Sequence, residues 1–141
     1  MTDFRRLTDL YYVADQLSPI DIKQAKSEGF DMILCNRPDG EVEGQPTMAQ
    51  MQAASLAENL KFETIPIGQD GISAGALTEG RALVATGDKI LAYCRTGTRS
   101  TILHALISVA EGEDIDTVIS NALEAGYDLA PFRARLEAVA S

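Results

Sequence analysis

The sequence has no tryptophan, one histidine and two cysteines, Cys35 and Cys94, in 141 residues. So small a stock of sulfur and imidazole cannot supply the ligand set of a structural zinc site or the bridges of a disulfide scaffold. No metal and no cofactor is therefore expected. Basic residues are also scarce, 12 against 21 acidic ones for a net charge of -9. That excludes the broad cationic face by which proteins displace counterions from nucleic acid or from an anionic membrane. No apolar run approaches the roughly 20 residues of a bilayer span, and Met1–Leu7 is not followed by the apolar stretch and small-residue cleavage site of an export signal. A reducing, cytoplasmic setting is expected. Repeats, low-complexity tracts and Pro/Gly/Ser-rich linkers are absent too, which predicts one domain spanning 1–141 around a single core.

What is present reads as alternating helices and strands. Phe4–Leu7 and Leu10–Val13 suit two short strands around a Thr8–Asp9 turn. A helix follows, with Ser18 as N-cap, Pro19 at its first position, Asp21 completing a capping box and Gly29 as its stop. Met32–Cys35 is an apolar run bounded by the turn-rich Asn36–Gly40, as expected of a buried strand. Thr47 and Gln50 repeat the capping-box spacing before a helix whose Ala49, Ala53, Leu56, Ala57 and Leu60 share one face. Phe62–Ile67 predicts a strand, Thr78–Thr86 a helix and Ile90–Tyr93 the last strand. A buried helix over Ser100–Glu111 ends at Gly112, Asp114 caps an amphipathic helix through Leu123, and Pro131 opens a short final one. This order predicts an α/β fold with a mainly parallel sheet of four to five strands flanked by helices.

The segment Cys94-Arg95-Thr96-Gly97-Thr98-Arg99-Ser100 joins a buried strand to an apolar helix. It therefore falls at the carboxyl end of the sheet, where open α/β folds bind ligands. A sharp strand-to-helix turn can point the amides of Arg95, Thr96, Gly97 and Thr98 inward, with Gly97 supplying the permissive φ and the helix its positive end. Arg99 folded over that loop offers a planar fork for two oxygens of an anion and, with the helix N-terminus, favours the Cys94 thiolate. Ser100 is placed to donate a hydrogen bond to that sulfur when it leaves. The segment thus predicts a nucleophilic thiolate beside a bound oxyanion.

The loop resembles the signature loop of the cysteine-dependent protein phosphatases. Leu17-Ser18-Pro19, Gly29-Phe30, Cys35 to Glu41, Ile65-Pro66-Ile67 and Ala92-Tyr93-Cys94 together resemble the phosphatase-like domain of beta-lactamase hydrolase-like proteins, over about Leu10 to Ala110. The resemblance implies a dual-specificity-phosphatase-like fold, with Cys94 as nucleophile, Arg99 as phosphate ligand and Arg95–Thr98 as backbone donors. Asp70, after Ile65-Pro66-Ile67, matches the loop in which such phosphatases keep their general acid, displaced by one residue, and it equally suits an Asp-Gly turn with Gly71. Tyr93 stands where the phosphatase pattern has histidine, and four residues rather than five separate Cys94 from Arg99. That shorter Cys-Arg-x-Gly-x-Arg loop also resembles the rhodanese sulfurtransferases, whose cysteine carries a persulfide.

Three readings follow: a phosphate monoesterase acting through a phosphocysteine on a phosphorylated protein or small molecule; a sulfurtransferase fed by thiosulfate or a persulfide; and a non-catalytic anion-binding or redox module. Some phosphatases of this fold hold a second cysteine near the nucleophile, which implies Cys35 as a redox partner for Cys94, besides its plainer role as a buried strand residue. Arg37 and Asp39 are expected to pair with each other or border the pocket, and His104, Tyr11, Tyr12, Phe30 and Phe132 to pack in the core. The acidic group Glu111, Glu113, Asp114 and Asp116 suits a solvated loop and a helix N-terminus.

Overall fold

A computed structural model describes residues 2–140. The chain opens with β1 (Arg5–Thr8) and β2 (Tyr11–Ala14), an antiparallel pair. The pair lies one residue later than expected: Thr8 stays in the strand and its hydroxyl accepts from the Leu10 amide at 3.2 Å, so Asp9 and the exposed Leu10 form the turn. Helix α1 (Pro19–Ser27) starts where Asp21 accepts from the Ser18 amide at 2.7 Å. Then come β3 (Met32–Cys35), α2 (Met48–Ala57) and β4 (Lys61–Thr64). Strand β4 stops short of Ile67 because Pro66 has no amide to give, although the amides of Ile65 and Ile67 still reach the carbonyls of Cys35 and Asn36 at 3.0 and 2.8 Å.

Two helices differ from expectation for identifiable reasons. Helix α2 buries Met51 and Ser55, with Ala54 and Met48 packed beside them, and leaves Ala49, Ala53, Leu56 and Ala57 exposed. Alanines gain little from burial, so Met51, with Met48 a turn before it, sets the inward face and Leu56 is left outside. Helix α3 (Ala74–Ala85) begins a turn earlier than expected, because Ser73 caps it by accepting from the Ala76 amide at 3.0 Å. Beyond it lie β5 (Ile90–Tyr93), α4 (Thr98–Ala110), α5 (Ile115–Glu124), a 3-10 turn (Ala130–Phe132) and α6 (Arg133–Val139).

The five strands form one sheet in the order β1-β2-β5-β3-β4, parallel except at the β1 edge. Alternation divides the side chains between two cores. Tyr11, Val13, Met32, Leu34, Ile90 and Ala92 pack with residues of α3 to α6, and Ala14, Ile33, Cys35, Leu91 and Tyr93 pack with those of α1 and α2. Strands β3 and β5 are buried at every position, as a parallel interior requires. Helix α4 buries eight residues, among them Leu103 and Ile107, and a Cβ at Gly80 of α3 would stand 2.7 Å from the Ile107 Cδ1. Each fully buried aliphatic side chain contributes roughly 1.5–3 kcal/mol. The loop joining β5 to α4 is therefore anchored at one end by a fully buried strand and at the other by a helix with eight buried residues.

Candidate active site

Cys94 follows the last residue of β5 and is 1% exposed. Three residues on, Gly97 takes φ +90°, a left-handed conformation open mainly to glycine, and serves as N-cap of α4. Its amide donates to the Cys94 Sγ at 3.1 Å, while its carbonyl accepts from the Thr101 amide and hydroxyl at 2.9 and 2.7 Å. Sulfur thus lies beside an inward amide at the positive end of a 13-residue helix. Of the four loop residues expected to supply donors, Gly97 makes this contact. The Thr96 and Thr98 hydroxyls bond each other at 3.2 Å, and Arg95 lies on the rim.

Arg99 is oriented by a residue that sequence reasoning passed over. Its Nη1 and Nη2 donate to the two carboxylate oxygens of Glu41 at 2.7 and 2.8 Å, and Nη1 also donates to the Ile67 carbonyl. The Glu41 bonds raise the Arg99 pKa, and proximity to Cys94 adds to this. Glu41 in turn accepts from Arg37 Nε at 2.9 Å, and Arg37, only 5% exposed at its side chain, donates onward to Gln16 at 3.1 Å. Two guanidinium groups, Arg99 foremost, hold the Glu41 carboxyl at about 2, well below its usual range. With its Nη pair on Glu41, the Arg99 guanidinium also lies close to the Cys94 sulfur. Arg37 accordingly pairs with Glu41 and not with Asp39, whose carboxylate accepts from the Met48 amide at 2.8 Å.

Ser100 is turned away from the role expected of it. Its fully buried hydroxyl donates to Asn36 Oδ1 at 2.8 Å, and so its proton is already committed to Asn36, not to Cys94. Asn36, also fully buried, donates through Nδ2 to the Ile65 carbonyl at 3.0 Å. One amide side chain thus ties the ends of β3 and β4 to the first turn of α4.

The recess above the loop has a volume of about 340 Å³ and is lined by Glu41, Gly68, Gln69, Arg95 and Arg99. Asp70 is not among these residues. The Gly71 amide bonds the Gly68 carbonyl at 3.3 Å and Gly71 takes φ +88°, a turn that brings Gln69 to the recess and carries Asp70 over to a separate groove beside Ile72, Leu77 and Arg135. The Asp-Gly turn is the arrangement found.

Both cysteines are free. Cys35, whose thiol pKa is raised chiefly by burial, donates to the Arg37 carbonyl at 3.3 Å. It pairs in register with Tyr93, the residue before Cys94, and the two sulfurs lie close enough to interact electrostatically. His104 stacks on Tyr11 with ring centroids 4.3 Å apart, and burial lowers its pKa to about 4. Among the described residues no group of three His, Cys, Asp or Glu side chains could hold a metal ion, and no helix is long and apolar enough to cross a membrane.

The signals for the missed residues are weak in sequence. Glu41 lies 58 positions from Arg99 in a loop of several charged residues, and only folding distinguishes it from Asp39 or Glu43. Tyr127 lies against Gly97 and donates to the Thr96 carbonyl at 3.1 Å, yet it looks like any aromatic at a helix end.

Residues 3–111 match the model of the phosphatase-like domain of beta-lactamase hydrolase-like protein. A beta-lactamase hydrolase-like protein of Xylella fastidiosa is 35% identical over 85 residues, 60% of this chain and 20% of that protein, so the chain spans about a fifth of the length of this relative. The crystal structure of a putative phosphatase from Neisseria meningitidis superposes with a TM-score of 0.85 at 34% identity, covering 96% of each chain. A kinase associated phosphatase with its catalytic-site cysteine substituted by serine shares the fold, with a TM-score of 0.73 at 15% identity over 98% of this chain and 96% of that one. On the extent of these matches, the chain belongs to the phosphatase-like domain family of beta-lactamase hydrolase-like proteins.

Proposed function

We propose that this phosphatase-like domain hydrolyses phosphate monoesters through a phosphocysteine on Cys94. The observation that supports this best is the Cys94 sulfur beside the Gly97 amide at 3.1 Å, at a helix N-terminus, with Arg99 held by Glu41 at a recess lined also by Arg95, the residue after Cys94. The Cys94 thiolate attacks phosphorus, forming the P–S bond as the ester P–O bond breaks. Arg99 and the loop amides stabilise the charge on the transferred phosphoryl group. Water then attacks the phosphocysteine, releasing phosphate and regenerating the thiolate.

Among the described residues that line the recess none is suited to protonate the leaving oxygen, since Glu41 is ionised at neutral pH. The reading therefore favours esters of acidic hydroxyls, such as an aryl phosphate or a phosphotyrosine side chain, whose oxygen leaves as the anion and takes its proton from water. The scarcity of basic residues and the two free thiols support a cytoplasmic setting and a single catalytic unit that does not bind nucleic acid or membrane.

The same absence of an acid favours a second reading, as does the four-residue spacing from Cys94 to Arg99. In sulfur transfer the Cys94 thiolate takes the outer sulfur of thiosulfate, the S–S bond breaks and sulfite leaves; an acceptor thiolate or cyanide then removes that sulfur. None of these steps needs a proton donor.

Aryl phosphate hydrolysis and thiosulfate-to-cyanide transfer, measured side by side on the parent and on Cys94→Ser, separate the readings. Hydrolysis lost in Cys94→Ser, with a phosphocysteine trapped in the parent, is the expected result. A gain of one sulfur on Cys94 after thiosulfate, without hydrolysis, replaces it with sulfur transfer. Neither adduct leaves a non-catalytic anion-binding or redox module.

A further inference from the structure

The peptide that carries the Gly97 amide is held from outside the loop. The Thr96 carbonyl and the Gly97 N–H belong to one trans peptide unit, so they point in opposite directions. The N–H faces the Cys94 Sγ and the carbonyl faces Tyr127, whose hydroxyl donates to it at 3.1 Å. That hydroxyl is itself fixed: it accepts from Arg5 Nη1, and the Arg5 guanidinium lies 5.3 Å from the centre of the Tyr127 ring. Tyr127 follows Gly126, whose φ of +102° ends α5 and turns the chain. The fit is close enough that a Cβ on Gly97 would overlap the Tyr127 hydroxyl.

The geometry points to Arg5 and Tyr127 as a positioning pair that locks the 96–97 peptide with its N–H toward Cys94 and so sets how readily that sulfur ionises. Releasing the Thr96 carbonyl frees the peptide to rotate, and rotation withdraws the amide that donates to sulfur. Tyr127 is not one of the residues lining the recess, and its bond to the loop is to the Thr96 carbonyl; it acts through the peptide. The titratable groups facing Cys94 come from four directions: Arg99 on α4, Tyr11 on β2, Cys35 on β3 and Tyr127 after α5. Of these, Arg99 is the charged one at neutral pH and Tyr127 the one bonded to the loop backbone. The inference rests on Cys94 being the ionising group of the site and holds for either reaction proposed above.

The test is alkylation of Cys94 by iodoacetamide across pH, followed by peptide mapping so that Cys35 is counted apart. In Tyr127→Phe, which keeps the ring and removes only the hydroxyl, the Cys94 rate at pH 6 is expected to fall about three- to tenfold, the size of one lost hydrogen bond. The plateau at high pH should stay within about twofold. Arg5→Lys, which still offers a donor, should keep the parent profile, whereas Arg5→Met should move it in the same direction by less. A Tyr127→Phe protein with the parent's profile overturns the inference, whatever its melting temperature, because packing alone would alter stability without moving the profile. A parent whose Cys94 resists alkylation up to pH 9 overturns both this inference and the thiolate chemistry beneath it, while a shifted profile in a protein with no phosphatase turnover removes only the hydrolase reading.

Discussion

Replacing Glu41 by glutamine keeps the shape of the side chain that joins Arg37 to Arg99 and removes its charge. The carboxyl is held at about 2 against an ordinary 4.5, through Arg99 first. At about 1.4 kcal/mol per pKa unit this corresponds to about 3 kcal/mol. The side chain is 24% exposed and the residue borders the open recess, so solvent screening leaves on the order of 1–2 kcal/mol. Much of the loss falls on Arg37, which keeps Gln16 as a neutral partner but becomes a buried cation without its carboxylate. For a domain of this size the melting temperature at pH 7 should drop by roughly 3–8 °C. Because the folded pKa is depressed, the stabilisation is complete above pH 4.5 and is lost as pH falls through about 2, so the parent and variant melting curves should converge over that window. In steady-state assays with an aryl phosphate, kcat/KM should fall about tenfold, equivalent to about 1.4 kcal/mol, as Arg99 loses the clamp on its Nη pair. Equal melting temperatures at pH 7 would refute the energetic argument. A variant with lower KM and unchanged kcat would show that the carboxylate competes with substrate for Arg99 and does not orient it.

Asp70→Asn should leave hydrolysis and sulfur transfer within about twofold of the parent, since Asp70 lines a different groove; a tenfold fall in hydrolysis with a displaced acidic limb of the pH profile would restore it as the acid. Gly97→Ala should lose at least tenfold in turnover and about 1–3 kcal/mol in stability, because alanine is strained at φ +90° and its methyl would displace the Tyr127 hydroxyl; denaturant titration together with the aryl phosphate assay checks both. Mild peroxide should join Cys94, as its sulfenic acid, to the Cys35 thiol with release of water, at the expense of the Gly97 contact, because β3 and β5 are neighbours whose ends carry the two cysteines. Peptide maps showing Cys94 as a sulfinic acid and Cys35 still a thiol would defeat that pairing.

The placement of Cys94 and Gly97 between strand and helix was legible in sequence because it is local. A buried strand, a glycine able to take a left-handed turn and an apolar helix follow one another without a break from Ile90 to Ala110, and local rules place Cys94 and Gly97 among them. The family resemblance extended this to the fold, and the helix caps at Ser18, Thr47 and Asp114 are where their side chains predicted. Contacts of long sequence separation were not legible. Ser100 meets Asn36 across 64 positions and Arg99 meets Glu41 across 58, and a serine or arginine beside a loop does not reveal which distant partner will claim it. Asp70, which the sequence offers equally as an acid and as part of an Asp-Gly turn, stays open in sequence for a related reason: a shift of one residue in a turn, set by the φ of Gly71, decides which side chain faces the recess, and composition is blind to that.

Strand β5 is the third of five in the sheet, covered on both faces, whereas the recess above its end is rimmed by Glu41, Gly68 and Gln69 from loops outside the sheet. Amide hydrogens along Ile90–Tyr93 should therefore exchange only on global opening, while those of 68–71 exchange through local fluctuation. The strand that leads to Cys94 and the Gly68–Gln69 part of the rim thus differ widely in stiffness, so that stretch of the rim can change, residue by residue, without loosening the strand behind the sulfur.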